Sequence, residues 1–106
     1  MKFYSVAEIE ITDPGWVRDY VKNVTGMVEA HGGRYLARTS NVERWEGERK
    51  IPQICLLLEW PSKEAAKAFY ESEEYRPYRE SRLAGSKGEF LLVHGEDISK
   101  IARIAE

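Results

Sequence analysis

At 106 residues the chain has the length of one domain, and a domain of this size is expected to bury about two-thirds of its unfolded surface. Its 16 basic and 18 acidic residues give a net charge of -2, which lacks the basic excess that nucleic-acid binding usually shows, and no apolar stretch is long enough to span a bilayer. The one cysteine, Cys55, sits in an apolar run without an internal partner, and the N-terminus lacks a signal-peptide core, so a buried thiol in a cytoplasmic protein is expected.

Residues 2–11, KFYSVAEIEI, alternate as a strand does. Phe3, Ser5, Ala7, Ile9 and Ile11 fall on one side, and Tyr4, Val6, Glu8 and Glu10 on the other. TDPG ends this strand: Asp13 suits a helix N-terminus, and Pro14 suits the first helical turn, where a missing N–H costs nothing. A helix is predicted over 14–31, with Val17, Tyr20, Val21, Val24, Met27, Val28 and His31 recurring on its packing face. HGG follows. A helix ending near His31 calls for a left-handed residue just beyond it, which glycine supplies without strain. Phosphate-binding glycines precede a helix, so these are read as a helix stop feeding the strand RYLART.

Residues 40–51 read as a solvated hairpin loop turning at Gly47, with acids interleaved among its bases. PQICLLLEW is a third strand whose apolar run suggests burial on both faces. Ser62 is placed to cap a second helix packed through Ala65, Ala66, Phe69 and Tyr70; Pro77 interrupts the helical pattern, which then resumes to about Leu83. KGEFLLVHG is the fourth strand. Ile98, Ile101 and Ile104 recur at helix-like intervals in the tail, a helix so short that it needs a surface to dock on. The order strand, helix, strand, strand, helix, strand predicts an α+β fold of ferredoxin-like type, βαββαβ, with a four-stranded antiparallel sheet and both helices on one face. Residues 1–95 are expected to make this domain, and 96–106 a C-terminal tail.

Alternation sorts the sheet into two faces. Phe3, Ala7, Ile9, Tyr35, Ala37, Ile54, Leu56, Leu58, Leu91 and Val93 are expected beneath the helices. Tyr4, Val6, Glu8, Leu36, Arg38, Cys55, Leu57, Glu59, Phe90, Leu92 and His94 are expected on the other side. That second side is too apolar to be left in water, which predicts a homodimer packed back to back, with its charges paired across the interface or at its rim.

The stretches ITDPGWVRDYV, HGGRYLAR, the Glu46–Gly47 pair, EWPSKEAAKAFYESEEYRPYRESR and FLLVHG resemble, in order and over nearly the whole chain, the bacterial family described as domain of unknown function 1330. Glu73 stands where that family often has proline, a departure confined to a local turn. The resemblance implies the dimeric α/β barrel superfamily, in which two sheets of a homodimer form a barrel. It implies no reaction, although related barrel families include cofactor-independent oxygenases, haem-degrading enzymes and lactone isomerases.

Candidate chemistry is sparse. The two histidines, His31 and His94, form no metal-ligand cluster, Cys55 lies inert among leucines, and no serine occupies a GxSxG elbow. The superfamily's haem-degrading members need a histidine on the second helix, and residues 62–84 contain none, so no cofactor is expected. A cleft with basic and phenolic walls is the better candidate. Arg38, Glu46, Tyr75 and Arg82 are its expected members, because arginine and tyrosine together suit a carboxylate or phenolate; His31 or Glu46 would serve for proton transfer. The same residues also suit a purely structural network, with Arg82 paired to Glu46 or Glu80. The readings that stand are a small-molecule binder for an organic acid or aromatic metabolite, a cofactor-independent enzyme of oxygenase or isomerase type, and a non-catalytic accessory dimer.

Overall fold

A computed structural model describes Met1–Glu106. The first strand, β1 (Phe3–Ile11), keeps its predicted alternation, with Ser5, Ala7 and Ile9 buried and their neighbours partly exposed. Asp13 then turns the chain. Its carboxylate accepts a hydrogen bond from the Gly15 N–H at 3.0 Å, and Pro14–Trp16 form one tight helical turn leading into α1 (Val17–Ala30). The stop after α1 is made as expected. Gly32, at φ +86°, donates to the Glu29 carbonyl, and Gly33 donates to that of Val28, so two free carbonyls of the last turn are satisfied. Gly33 has a second reason to be glycine: a Cβ there would stand 2.6 Å from Val28 Cγ1 and 2.8 Å from the Trp60 ring.

The strands β2 (Arg34–Thr39) and β3 (Ile54–Trp60) follow, joined by the 40–53 loop. Ser62 caps α2 (Lys63–Tyr70) by accepting from the Ala65 N–H at 3.0 Å. Ser72 makes the corner to α3 (Arg76–Ala84), which carries Pro77 in its first turn, where proline begins a helix rather than breaks one. The last strand is β4 (Ser86–His94). The sheet is antiparallel in the order β2-β3-β1-β4, which is the ferredoxin-like topology. The core lies between this sheet and the helices. Trp60 is its largest sealed side chain; its ring stacks on Phe69 at 5.5 Å and its N–H donates to Ser5 Oγ at 2.8 Å. No helix is long and apolar enough to cross a membrane.

Register corrects the assignment of faces in two strands. Ala7 pairs with Phe90 and Ser5 with Leu92, so Phe90, Leu92 and the exposed His94 lie on the helix side of the sheet while Leu91 and Val93 point outward, the reverse of the expectation. In β2 a bulge between Tyr35 and Ala37 shifts the alternation: Tyr35 opposes Leu58 and Arg38 opposes Leu56, both on the helix side, and Ala37 opposes Leu57 on the outer side. Arg38 and His94 therefore leave the outer face. The charges that remain there are satisfied within the chain, Glu59 by Lys2 at 3.0 Å and Arg34 at 3.1 Å, and Glu8 by Arg49 at 2.8 Å. Cys55 is half-buried on that face rather than enclosed. The tail forms no helix. Asp97 gathers Ser99, Ile101 and Ala102 into a turn, and Lys100 at φ 61° breaks helical geometry inside it.

Candidate functional site

Between α1 and the sheet lies an apolar cavity of about 210 Å³. β1 and β3 supply its floor with Ile9, Leu56 and Leu58, α1 supplies Val24 and Tyr20, and Arg38 is the one charged residue in its walls. The bulge in β2 is what brings Arg38 to this side. Its guanidinium lies 4.6 Å from the centre of the Tyr35 ring and donates to Thr25 Oγ1 on α1 at 3.0 Å, so it bridges sheet and helix at the cavity wall. Burial raises the Tyr35 hydroxyl above the ordinary tyrosine range, with Thr25 and Arg38 pulling the other way. Tyr35 thus stays protonated and able to donate.

Behind the cavity is a phenolic pair. Tyr20 on α1 and the wholly buried Tyr75 at the start of α3 share a hydrogen bond of 2.5 Å. Burial first, and the neighbouring Tyr75 second, push the Tyr20 hydroxyl far above its usual range. Arg82 lies beside both rings' hydroxyls and 5.2 Å from the centre of the Phe90 ring. Burial alone would lower Arg82; Tyr75 and Tyr20 outweigh it and hold the guanidinium above its ordinary value. Neither suggested acid partners it: Glu80 pairs with Arg76 at 3.4 Å, and Glu46 stands exposed in the loop without an ion pair. Arg79 donates to the Tyr70 carbonyl and stacks on that ring at 5.2 Å.

The sequence candidates therefore part company. Arg38 lines the cavity beneath α1, while Tyr75 reaches it only through Tyr20. Arg82 lines a different cavity, between α3 and β4. His31 caps α1, its Nδ1 2.9 Å from the Met27 carbonyl and its ring against Phe69, and neither it nor Glu46 lines the cavity. Tyr20 and Tyr35 were not among the candidates. Tyr20 sits at core spacing on α1, where a tyrosine reads as packing, and the bulge that pairs Tyr35 with Arg38 leaves no mark on the alternation. No group of His, Cys, Asp and Glu is assembled to hold a metal ion.

No curated protein matches the chain in sequence. Among solved structures, the RPA0582 protein of unknown function from Rhodopseudomonas palustris superposes with a TM-score of 0.73 at 13% identity, covering 87% of this chain and 80% of its own. SnoaB, a cofactor-independent oxygenase from Streptomyces nogalater, superposes with a TM-score of 0.65 at 14% identity, covering 93% and 97%. Identities this low speak to the fold alone. Sequence gives the closer kinship: the family described as Domain of unknown function (DUF1330) matches over residues 2–96, and the chain belongs to it.

Proposed function

We propose that this protein is a small-molecule binder of the bacterial cytoplasm, acting as a homodimer, that takes an aromatic or other largely apolar organic acid into the cavity beneath α1. The single observation that carries this reading is an apolar cavity whose one charged wall residue is Arg38. A ligand with a flat apolar body fills the space between Leu56, Val24 and Tyr20, and a carboxylate or phenolate at its edge meets the Arg38 guanidinium beside the Tyr35 hydroxyl. SnoaB, which shares the fold, is a cofactor-independent oxygenase, and a cofactor-independent enzyme is the second reading on that likeness alone.

A thermal-shift screen with aromatic carboxylates and phenols tests the proposal. A hit should raise the unfolding temperature of the wild type, and Arg38→Ala should weaken its binding about tenfold or more, the loss of a charge-assisted contact. Val24→Phe, which fills the cavity, should abolish it. A hit unaffected by both changes would place the ligand elsewhere, and a screen without hits would favour the accessory dimer.

A further inference from the structure

Between α2 and the β1–β4 half of the sheet lies a second cavity, of about 530 Å³ against about 210 Å³ beneath α1. Its volume falls inside the roughly 300–1,000 Å³ usual for sites that take drug-sized ligands, and the other falls below that range. Phe90 and Leu92 of β4 and Ser5 of β1 line its sheet side, and Tyr70 of α2 adds a flat wall.

Three charged residues border this space: Lys67 and Glu71 on α2, and Arg79 on α3. None of them is in an ion pair. Arg79 is half-buried and held in place, with Nη1 donating to the Tyr70 carbonyl and the guanidinium 5.2 Å from the centre of that ring. Its Nε and Nη2 have no partner in the chain, and unlike those of Arg82 they are not sealed from solvent. They form one edge of the guanidinium, whose two parallel N–H groups match the two oxygens of a carboxylate. Ser5 is the second unanswered donor. It is 3% exposed and accepts from the Trp60 N–H at 2.8 Å, while its own O–H meets no acceptor of the chain. Two cations against one acid leave an excess of one positive charge, which suits a ligand carrying a single negative charge.

We propose that the cavity between α2 and the β1–β4 half of the sheet is a binding site for a monocarboxylate with a fused-ring or similarly bulky apolar body. The carboxylate lies on the free edge of Arg79 and the rings lie along Tyr70 and Phe90, apart from the cavity beneath α1.

The two cavities share Phe69 and Phe90, but Trp60 borders this one alone and Trp16 the one beneath α1 alone. Their indole N–H signals, in the intact isotopically labelled protein, therefore tell the sites apart by NMR. Naphthoate should shift the Trp60 signal saturably. Naphthamide, with the same rings and no charge, should bind at least tenfold more weakly. Arg79→Met should weaken naphthoate binding at least tenfold, and Arg38→Ala should leave the Trp60 response unchanged. A Trp60 signal unmoved by naphthoate overturns the proposal, whether or not Arg79→Met folds. Movement of the Trp16 signal alone, or loss of the Trp60 response in Arg38→Ala, also overturns it and returns the ligand to the cavity beneath α1. Naphthamide binding as tightly as naphthoate, or a folded Arg79→Met that binds like the wild type, overturns the carboxylate contact with Arg79.

Discussion

The two faces of the sheet share one backbone and differ in what they ask of each residue. On the helix side, Ala7, Leu58 and Trp60 are sealed at 0–1% exposure, and even the polar Ser5 has its partner in the Trp60 N–H. On the outer side, Leu36, Leu91 and Val93 remain 46%, 53% and 46% exposed beside the half-buried Tyr4, Val6 and Leu57. Across its thinnest direction the molecule measures 17 Å, room for one sheet and one layer of helices and nothing more. Around Trp60 the helix side is thus a finished core, and the outer side is an apolar surface rimmed by ion pairs. At about 25 cal/mol per Å² of apolar area, covering that surface favours association with a second copy.

The comparison is broken hardest on the finished side. Trp60→Ala should destabilise folding by about 3–5 kcal/mol, a large fraction of the roughly 5–15 kcal/mol that holds a domain together, as read by chemical denaturation. Trp60→Phe keeps the stack on Phe69 and strands Ser5 Oγ, and should lose about 1–2 kcal/mol. If Trp60→Ala were as mild as Trp60→Phe, the helix side would be less tightly packed than its burial indicates.

On the outer side the same kind of insult should act on association instead. Leu91→Lys with Val93→Lys places two charges on the bare face, along its edge strand β4. The monomer's own unfolding should change by less than about 0.5 kcal/mol, as for exposed substitutions generally. Association should weaken by about 2 kcal/mol or more, roughly thirty-fold in dissociation constant, measured by sedimentation at micromolar concentration. A wild type that sediments as a monomer, or a double variant that still dimerises, would remove the outer face as the interface.

Most of this architecture was legible in the residues, and the exceptions have physical reasons. β1 alternates small and apolar with polar residues, so its faces read directly. Caps at Asp13 and Ser62 and the stop at Gly32 rest on local chemistry that needs no tertiary contact. β4 runs Phe90, Leu91, Leu92 and Val93 without a polar residue, so a period of two has nothing to lock onto and only its pairing with β1 decides which residues face the helices. In β2 one extra residue at the bulge reverses Ala37 and Arg38, and that reversal carries Arg38 into the cavity wall. Of the candidate site, the residue types were legible and their grouping was not. Arg38 comes from β2, Tyr75 and Arg82 from opposite ends of α3, and which space each one faces is a property of the packing.

The glycines after α1 sharpen the contrast at smaller cost. Gly33→Ala should destabilise by about 1–3 kcal/mol, because its methyl group has to push Val28 or Trp60 aside in the finished core. Gly32→Ala should lose about 1 kcal/mol from its left-handed backbone. Both should leave the sedimentation behaviour of the outer face unchanged. An association defect in either would mean that the two faces are mechanically coupled through the Trp60 stack.

The smallest effect belongs to the tail, which lies beyond both faces. The Asp97 carboxylate accepts hydrogen bonds from the backbone of Ala102 at 2.7 Å, and from the Ser99 hydroxyl and backbone, and these hold its carboxyl at about 2, below the ordinary 3.8. A folded value below the unfolded one means that the turn is favoured wherever Asp97 is ionised in both states. Its contribution is complete above the unfolded value of 3.8, declines as the pH falls below it, and is gone once the pH has passed through about 2. Carboxyl carbon shifts followed by NMR should therefore show Asp97 titrating near 2, with the Ala102 amide losing its hydrogen-bonded shift over the same interval. Asp97→Asn retains an acceptor and should keep part of the turn with no such titration; Asp97→Ala should release it at every pH. Neither substitution should alter the unfolding of the helix-covered core, because the hydrogen bonds of the Asp97 carboxylate all lie within residues 97–102. If Asp97 titrated at an ordinary aspartate value while the Ala102 amide stayed hydrogen-bonded, something other than this carboxylate would be holding the turn.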